Sequence, residues 1–319
     1  MSYAGTPGPG ASLDPRDTGP QPYHRLLRNN VTPSAFVLLG ALTVLVGWMF
    51  WSVLVLSIQQ SIRTDPKGTV SWLGLLATNL SLIVLIPLTM IVATKLNKQT
   101  PGLLSSVTGK VRWRPLAVFG VAAVVVELVM LGVIELGGVD VLGGGSGVAP
   151  DAAGVIAVTL LTSTFQAAGE EYFFRGYLLQ AVGAVVRSSL VAVLVTTVLF
   201  TMAHGVWPWE SPALFLDRFA FGLVAGLLAV LTGGLEAPIA AHAANNVITF
   251  IYAALTNSVG DSLGASDAPW SLVIVDVVKF AAFGAIAVLL ARKQGMATRC
   301  ELPLATSLVS DRGPGRRLL

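Results

Sequence analysis

Apolar residues run along this chain in blocks of about twenty, separated by short polar or Gly-rich stretches. Within the blocks they neither alternate nor keep to one helix face. The blocks fall at roughly 36–58, 72–94, 116–136, 153–181, 188–202, 214–231, 238–255 and 270–291. A bilayer core of about 30 Å is crossed by about 20 mostly apolar residues in a helix. Only helices and closed barrels satisfy every backbone group in lipid, and runs this long without strict alternation are not barrel strands. The pattern therefore predicts an all-α, polytopic integral membrane helix bundle with about eight transmembrane helices. Pro87, inside the second block, predicts a kink that neighbouring helices tolerate. No internal repeat and no heptad seam is present.

Composition agrees with lipid as the solvent. Charged residues are 12% of the chain, against about 25% in soluble domains, and the mean hydropathy is +0.75. Residues 1–33, rich in Pro, Gly and polar groups, predict a disordered cytoplasmic tail that cannot offset its ordering entropy. The first apolar block is too long for a signal-peptide core and no small-residue cleavage site follows it, so it is expected to remain as an anchor. Further along, 34–152 reads as N-terminal transmembrane helices, 153–255 as a core carrying polar motifs, 256–293 as a loop with the last helix, and 294–319 as a second cytoplasmic tail.

Lys and Arg collect in alternate loops. Arg16, Arg25 and Arg28 precede the first block, Lys95, Lys98, Lys110, Arg112 and Arg114 follow the second, Arg187 follows the fourth, and Arg292, Lys293, Arg299, Arg312, Arg316 and Arg317 follow the last. The opposite loops hold only Arg63 and Lys67, with Asp140, Asp151, Asp261 and Asp267. The positive-inside rule then puts both termini in the cytoplasm. The net charge of +3 comes from basic residues flanking apolar blocks, not from a basic aromatic patch, which argues against nucleic acid as a partner. The lone Cys300 builds neither an internal disulfide nor a thiolate metal cage. The Ala, Val, Gly and Leu bias suggests a bacterium with a GC-rich genome, hence the plasma membrane.

A charge at mid-bilayer costs at least about 2.5–3.5 kcal/mol on insertion scales, so each one needs a partner or a task. Asp276 and Lys279, three apart, should face one another, Asp217 and Arg218 can pair near a helix end, and Glu127 has no local partner. In Gly169-Glu170-Glu171-Tyr172-Phe173-Phe174-Arg175-Gly176, Glu171 and Arg175 stand at i and i+4 and predict an ion pair. Glu170, about 100° round the helix, is left without a local cation. Of three histidines, His24 lies in the tail, whereas His204 follows Phe200 by four residues and His242 precedes Asn246 by four. A buried ion-pair cluster and core histidines would account for any one of these features. Together, on the fourth, fifth and seventh blocks, they read as an active site. The block boundaries nevertheless put His204 near the outer end of the fifth helix and His242 near the inner end of the seventh, which would keep them apart.

Glu170-Glu171-x-x-x-Arg175, Phe200-x-x-x-His204 and His242-x-x-x-Asn246, in that order, resemble the three-part signature of the CAAX-processing and bacteriocin-processing (CPBP) family of intramembrane proteases, also called the Abi or type II CAAX protease family. The resemblance covers about a third of the chain. It implies a membrane endopeptidase acting on membrane-associated proteins or peptides, in which Glu170 and His204 activate a water. His242 and Asn246 would hold the oxyanion or assist a metal, while Glu171 and Arg175 shape the site. The family is described both as metalloprotease and as glutamate-dependent, so zinc bound by Glu170, His204 and His242 is an open expectation. Two histidines and a carboxylate suit a catalytic zinc, though no His-Glu-x-x-His helix is present. Two other readings stay open: a proton- or ion-coupled transporter using Glu170, His204 and His242 as a relay, and a non-catalytic membrane immunity or scaffold protein.

Overall fold

The structure, a computed structural model, describes residues 19–28, 32, 34–62, 72–137, 147–260 and 266–301. Each predicted block is helical: α1 (Ser34–Ile62), α2 (Trp72–Lys95), α3 (Trp113–Leu136), α4 (Ala152–Val185), α5 (Ser189–Ala203), α6 (Pro212–Thr232), α7 (Glu236–Leu255) and α8 (Trp270–Lys293). The chain is a helical membrane bundle. Six of these helices, α1 to α4, α6 and α8, are long and apolar enough to cross a membrane. The fifth, α5, has only 15 residues, about 22 Å at 1.5 Å per residue. The seventh, α7, has 20 residues and carries Glu236, His242, Asn245 and Asn246.

Local chemistry sets the breaks. Pro87 has no N–H for the carbonyl of Ile83, and α2 is interrupted just there, at Val84. Ser188 and Ser211 cap α5 and α6, each hydroxyl accepting from the backbone N–H three residues on. The longest helix, α4, is not uniform. It widens into π-helical turns at Thr159–Ser163 and again at Tyr172–Leu178, the second beginning directly after Glu171. Such turns recur at functional sites because they re-aim side chains.

Packing order follows from which faces are small and apolar. Helix α7 lies against α3 and α4, α6 against α5 and α8, and α1 against α2. Helices α4 and α2 approach closely at Gly169, where an added Cβ would stand 2.3 Å from the carbonyl oxygen of Leu82.

Loops gather at the two ends of the bundle. At one end, Val107 donates to Gly233 O, Leu235 to Ser105 O, and the Arg112 guanidinium grips Glu236 at 2.6 Å. At the other, Trp72 N donates to Asp151 Oδ2, Ala149 N to Ala254 O, and Ser211 to Asp267. The loops rich in Lys and Arg share the first end.

The N-terminal segment departs from the expectation of a disordered tail over 1–33. Residues 19–28 are held, and Tyr23, His24, Arg25, Leu26 and Leu27 are buried. Tyr23 donates to the Leu104 carbonyl at 2.5 Å, His24 Nε2 meets Arg187 O at 3.1 Å, and Arg28 donates to Ala184 O. Three apolar side chains in five residues supply the burial that the tail as a whole lacks. Gly183 makes room, since a Cβ there would sit 1.7 Å from His24 O. Strand β1 (Gln21–Pro22) then pairs antiparallel with β2 (Arg299–Cys300), so part of the second predicted tail is ordered too. Residues 1–18 and 302–319 lie outside the described residues.

Candidate active site

Helix α4 brings two carboxylates to the middle of the bundle on different faces. Glu171, wholly buried, receives Arg175 Nη1 on Oε1 at 2.8 Å, the predicted i, i+4 ion pair. The same oxygen meets His242 Nδ1 at 2.8 Å. The Arg175 guanidinium lies 4.0 Å over the Phe200 ring and 5.4 Å from that of Phe221. Stacking of this kind shields a buried cation without removing its donors. Phe221 also presses edge-on against His242, with ring centroids 4.8 Å apart. Two motif residues, Arg175 and His242, are thus oriented by a third, Glu171, and walled by aromatics.

Glu170 faces the other way. Its Oε1 accepts from Gln166 Nε2, and its Oε2 lies 3.8 Å from His204 Nε2. His204 stands at the C-terminal cap of α5, its Nδ1 at 2.8 Å from Phe200 O and its ring 4.4 Å from the Phe200 ring. Because the Phe200 carbonyl can only accept, His204 carries its proton on Nδ1 and turns a lone pair toward Glu170 in its neutral form. Glu170 is buried, while the His204 side chain is 30% exposed. Asn246 Nδ2 donates to Gln166 Oε1 at 2.9 Å, which ties α7 to α4 beside Glu170.

All seven residues singled out from the sequence therefore meet in one place. The separation expected between His204 and His242 does not occur: Phe200, one turn before His204, has its ring centroid 6.4 Å from that of His242. The reason is that α5, of the predicted length, ends beside Glu170 and does not run on to the far end of the bundle. The other intramembrane charges are paired as well. Lys279 meets Asp276 at 2.8 Å and Glu127 at 3.3 Å, giving Glu127 a partner across helices, and Arg218 meets Asp217 at 2.6 Å.

Sequence reasoning missed Gln166, which touches both Glu170 and Asn246. Its signal was available, since it lies one turn before Glu170 as a polar residue in an apolar block. Phe221 and Asn245 were missed for a different cause, having no motif spacing to mark them.

The zinc expectation meets a geometric test. Among the described residues, no three His, Cys, Asp or Glu side chains are grouped so as to hold a metal ion. Glu170 and His204 approach one another at 3.8 Å, and His242 meets Glu171 through Nδ1, which leaves its Nε2 free of that contact.

Residues 152–248 match the family model described as type II CAAX prenyl endopeptidase Rce1-like. The segment is similar to that family. This agrees with the CPBP resemblance of its motifs. The Rce1-like segment runs from α4 into α7 and holds Gln166, Glu170, Glu171, Arg175, Phe200, His204, His242 and Asn246. The uncharacterized protein YyaK of Bacillus subtilis (strain 168) is similar, with 33% identity over 108 residues. That match covers 33% of this chain and 36% of that protein, so the chain spans about a third of the length of this curated relative.

Proposed function

We propose that the protein is an intramembrane endopeptidase that hydrolyses peptide bonds of membrane-associated proteins or peptides, by a glutamate-dependent mechanism. The observation that carries this reading is the pairing of Glu170 with His204 inside the Rce1-like segment. Two acceptors facing each other at 3.8 Å are too far apart for a direct hydrogen bond, and both can bind the two protons of one water. That leaves the water's lone pairs directed at a substrate carbonyl carbon. As the C–O bond forms, Glu170 takes a proton from the water as general base and later returns it to the leaving amine nitrogen.

Charge develops on the carbonyl oxygen, and Asn246 has a second N–H on Nδ2 to meet it. His242, whose Nδ1–H is held by Glu171, adds an Nε2–H donor when it is protonated. Donors fixed in advance at such a position are worth a few kcal/mol each. Arg175 and Glu171 act through His242 and do not touch the substrate. In this reading both termini face the cytoplasm of a bacterium, in whose plasma membrane the bundle sits. Reporters fused after Gly147 and after Leu319 should report opposite sides.

The decisive experiment compares membrane peptides from cells making the wild type with those making Glu170→Gln. Fragments released only by the wild type are expected. Identical peptide profiles would overturn the reading.

A further inference from the structure

One polar connection in the bundle is longer than any motif. Lys279 Nζ on α8 donates to Asn245 Oδ1 at 2.8 Å, and Asn245 Nδ2 donates to Asn246 Oδ1 at 3.3 Å. Asn246 Nδ2 donates to Gln166 Oε1 at 2.9 Å, and Gln166 Nε2 donates to Glu170 Oε1. The ends of this series are chemically unambiguous: an ammonium has donors only, and a carboxylate accepts only. Each of the three amides between them has one donor side and one acceptor side. With the ends fixed, a single orientation of every amide is consistent, all donors pointing from α8 toward Glu170. The alternative flip of any one amide would set two donors or two acceptors against each other at two junctions. Lys279 itself is anchored by Asp276 and Glu127, so the origin of the series is held on both α8 and α3.

We infer that Gln166, Asn245 and Lys279 are positioning residues for peptide hydrolysis, forming a directional hydrogen-bond series that fixes the rotamer of Glu170 and the amide face of Asn246. The inference rests on the endopeptidase reading above. Of the three, Lys279 lies outside the Rce1-like segment altogether. The consequence for the chemistry is geometric. With Oε1 occupied by Gln166, only Oε2 of Glu170 is directed at His204 and the water. With Asn246 Oδ1 turned to Asn245, its amide presents N–H and not oxygen to a developing oxyanion. A cooperative series of this kind holds each member more firmly than isolated pairs would.

The test uses the full-length membrane protein and a quenched peptide spanning a cleavage site found in the peptide comparison above. Asn245→Asp keeps an acceptor for Lys279, and so keeps that contact, but removes the donor to Asn246. Gln166→Met keeps the volume and removes both bonds. Each is expected to lower kcat at least about 10-fold with KM within about 2-fold, and with an unchanged thermal midpoint for Asn245→Asp. The double variant is expected to be no slower than Gln166→Met alone, because both changes cut one series. Wild-type kcat in Asn245→Asp, or losses that multiply in the double variant, would overturn the inference even if one variant folds poorly. Failure of the endopeptidase reading would look different, since Glu170→Gln would then match the wild type.

Discussion

His242 Nδ1 and Glu171 Oε1 lie 2.8 Å apart on helices α7 and α4, and that contact joins the last motif to the first. The carboxylate it uses is wholly buried, so it holds an imidazole and a guanidinium at once with no water to dilute either. Removing the carboxylate charge strands Arg175. For Glu171→Gln, and for Arg175→Ala, the expected outcome is a loss of about 3–5 kcal/mol of stability, the range for breaking a buried pair. Thermal unfolding of the detergent-solubilised protein measures it, and midpoints equal to the wild type in both variants would show the pair to be dispensable.

Glu170 should behave in the opposite way. Glu170→Gln keeps the side chain's shape and still offers an oxygen to Gln166, but it cannot take a proton. Cleavage is expected to fall at least about 10²-fold with the thermal midpoint nearly unchanged. An active Glu170→Gln enzyme would defeat the mechanism and favour a proton relay instead.

Chelation tests the reaction independently of mutation. In the glutamate-dependent reading, hydrolysis is expected to survive 1,10-phenanthroline and extended dialysis against EDTA without loss. Activity that disappears with chelator and returns on adding zinc would show that the site rearranges to bind metal.

The N-terminal strap carries a pH dependence of its own. Burial holds His24 below the ordinary histidine value of 6.5, against the bond to Arg187 O, which acts to raise it. Among the described residues its Nδ1 has no hydrogen-bond partner, so a proton there would also be unsatisfied. Below about pH 6.5 the unfolded chain binds a proton that the folded one refuses, and stability falls as pH drops. The wild type should therefore lose thermal stability relative to His24→Leu between pH 7.5 and pH 5.5. Parallel curves for the two proteins over that range would show that His24 does not titrate on unfolding.

Much of this architecture is legible in the sequence because the bilayer imposes one rule on every block: length and apolarity suffice to place a helix. The Glu171 and Arg175 pair was legible through helix periodicity, as was the Asp276 and Lys279 pair. The depth of His204 was not, because the block 188–202 reads as crossing the bilayer from one face to the other, whereas α5, of the same length, ends beside Glu170. Nor was the order of residues 19–28, where Tyr23, Leu26 and Leu27 are too few to stand out in composition and matter only through their fit beside Gly183. Asn245 escaped for a related reason. An amide is neutral and cheap to place in a helix, so its spacing carries little signal until its partners on other helices are known.

The shortness of α5 reaches beyond the protein. Leu190, Val191, Leu194, Val195, Val198 and Leu199 leave one side of this helix exposed, and that side meets lipid over about 22 Å. A hydrocarbon layer of about 30 Å exceeds that length by about 8 Å, and local thinning, which draws headgroups and water toward the helix end, is one way such a mismatch is met. That end is His204. In the endopeptidase reading, such thinning would fall beside the motif histidine that is partly exposed, and would give water and an unwound stretch of substrate a short path to Glu170.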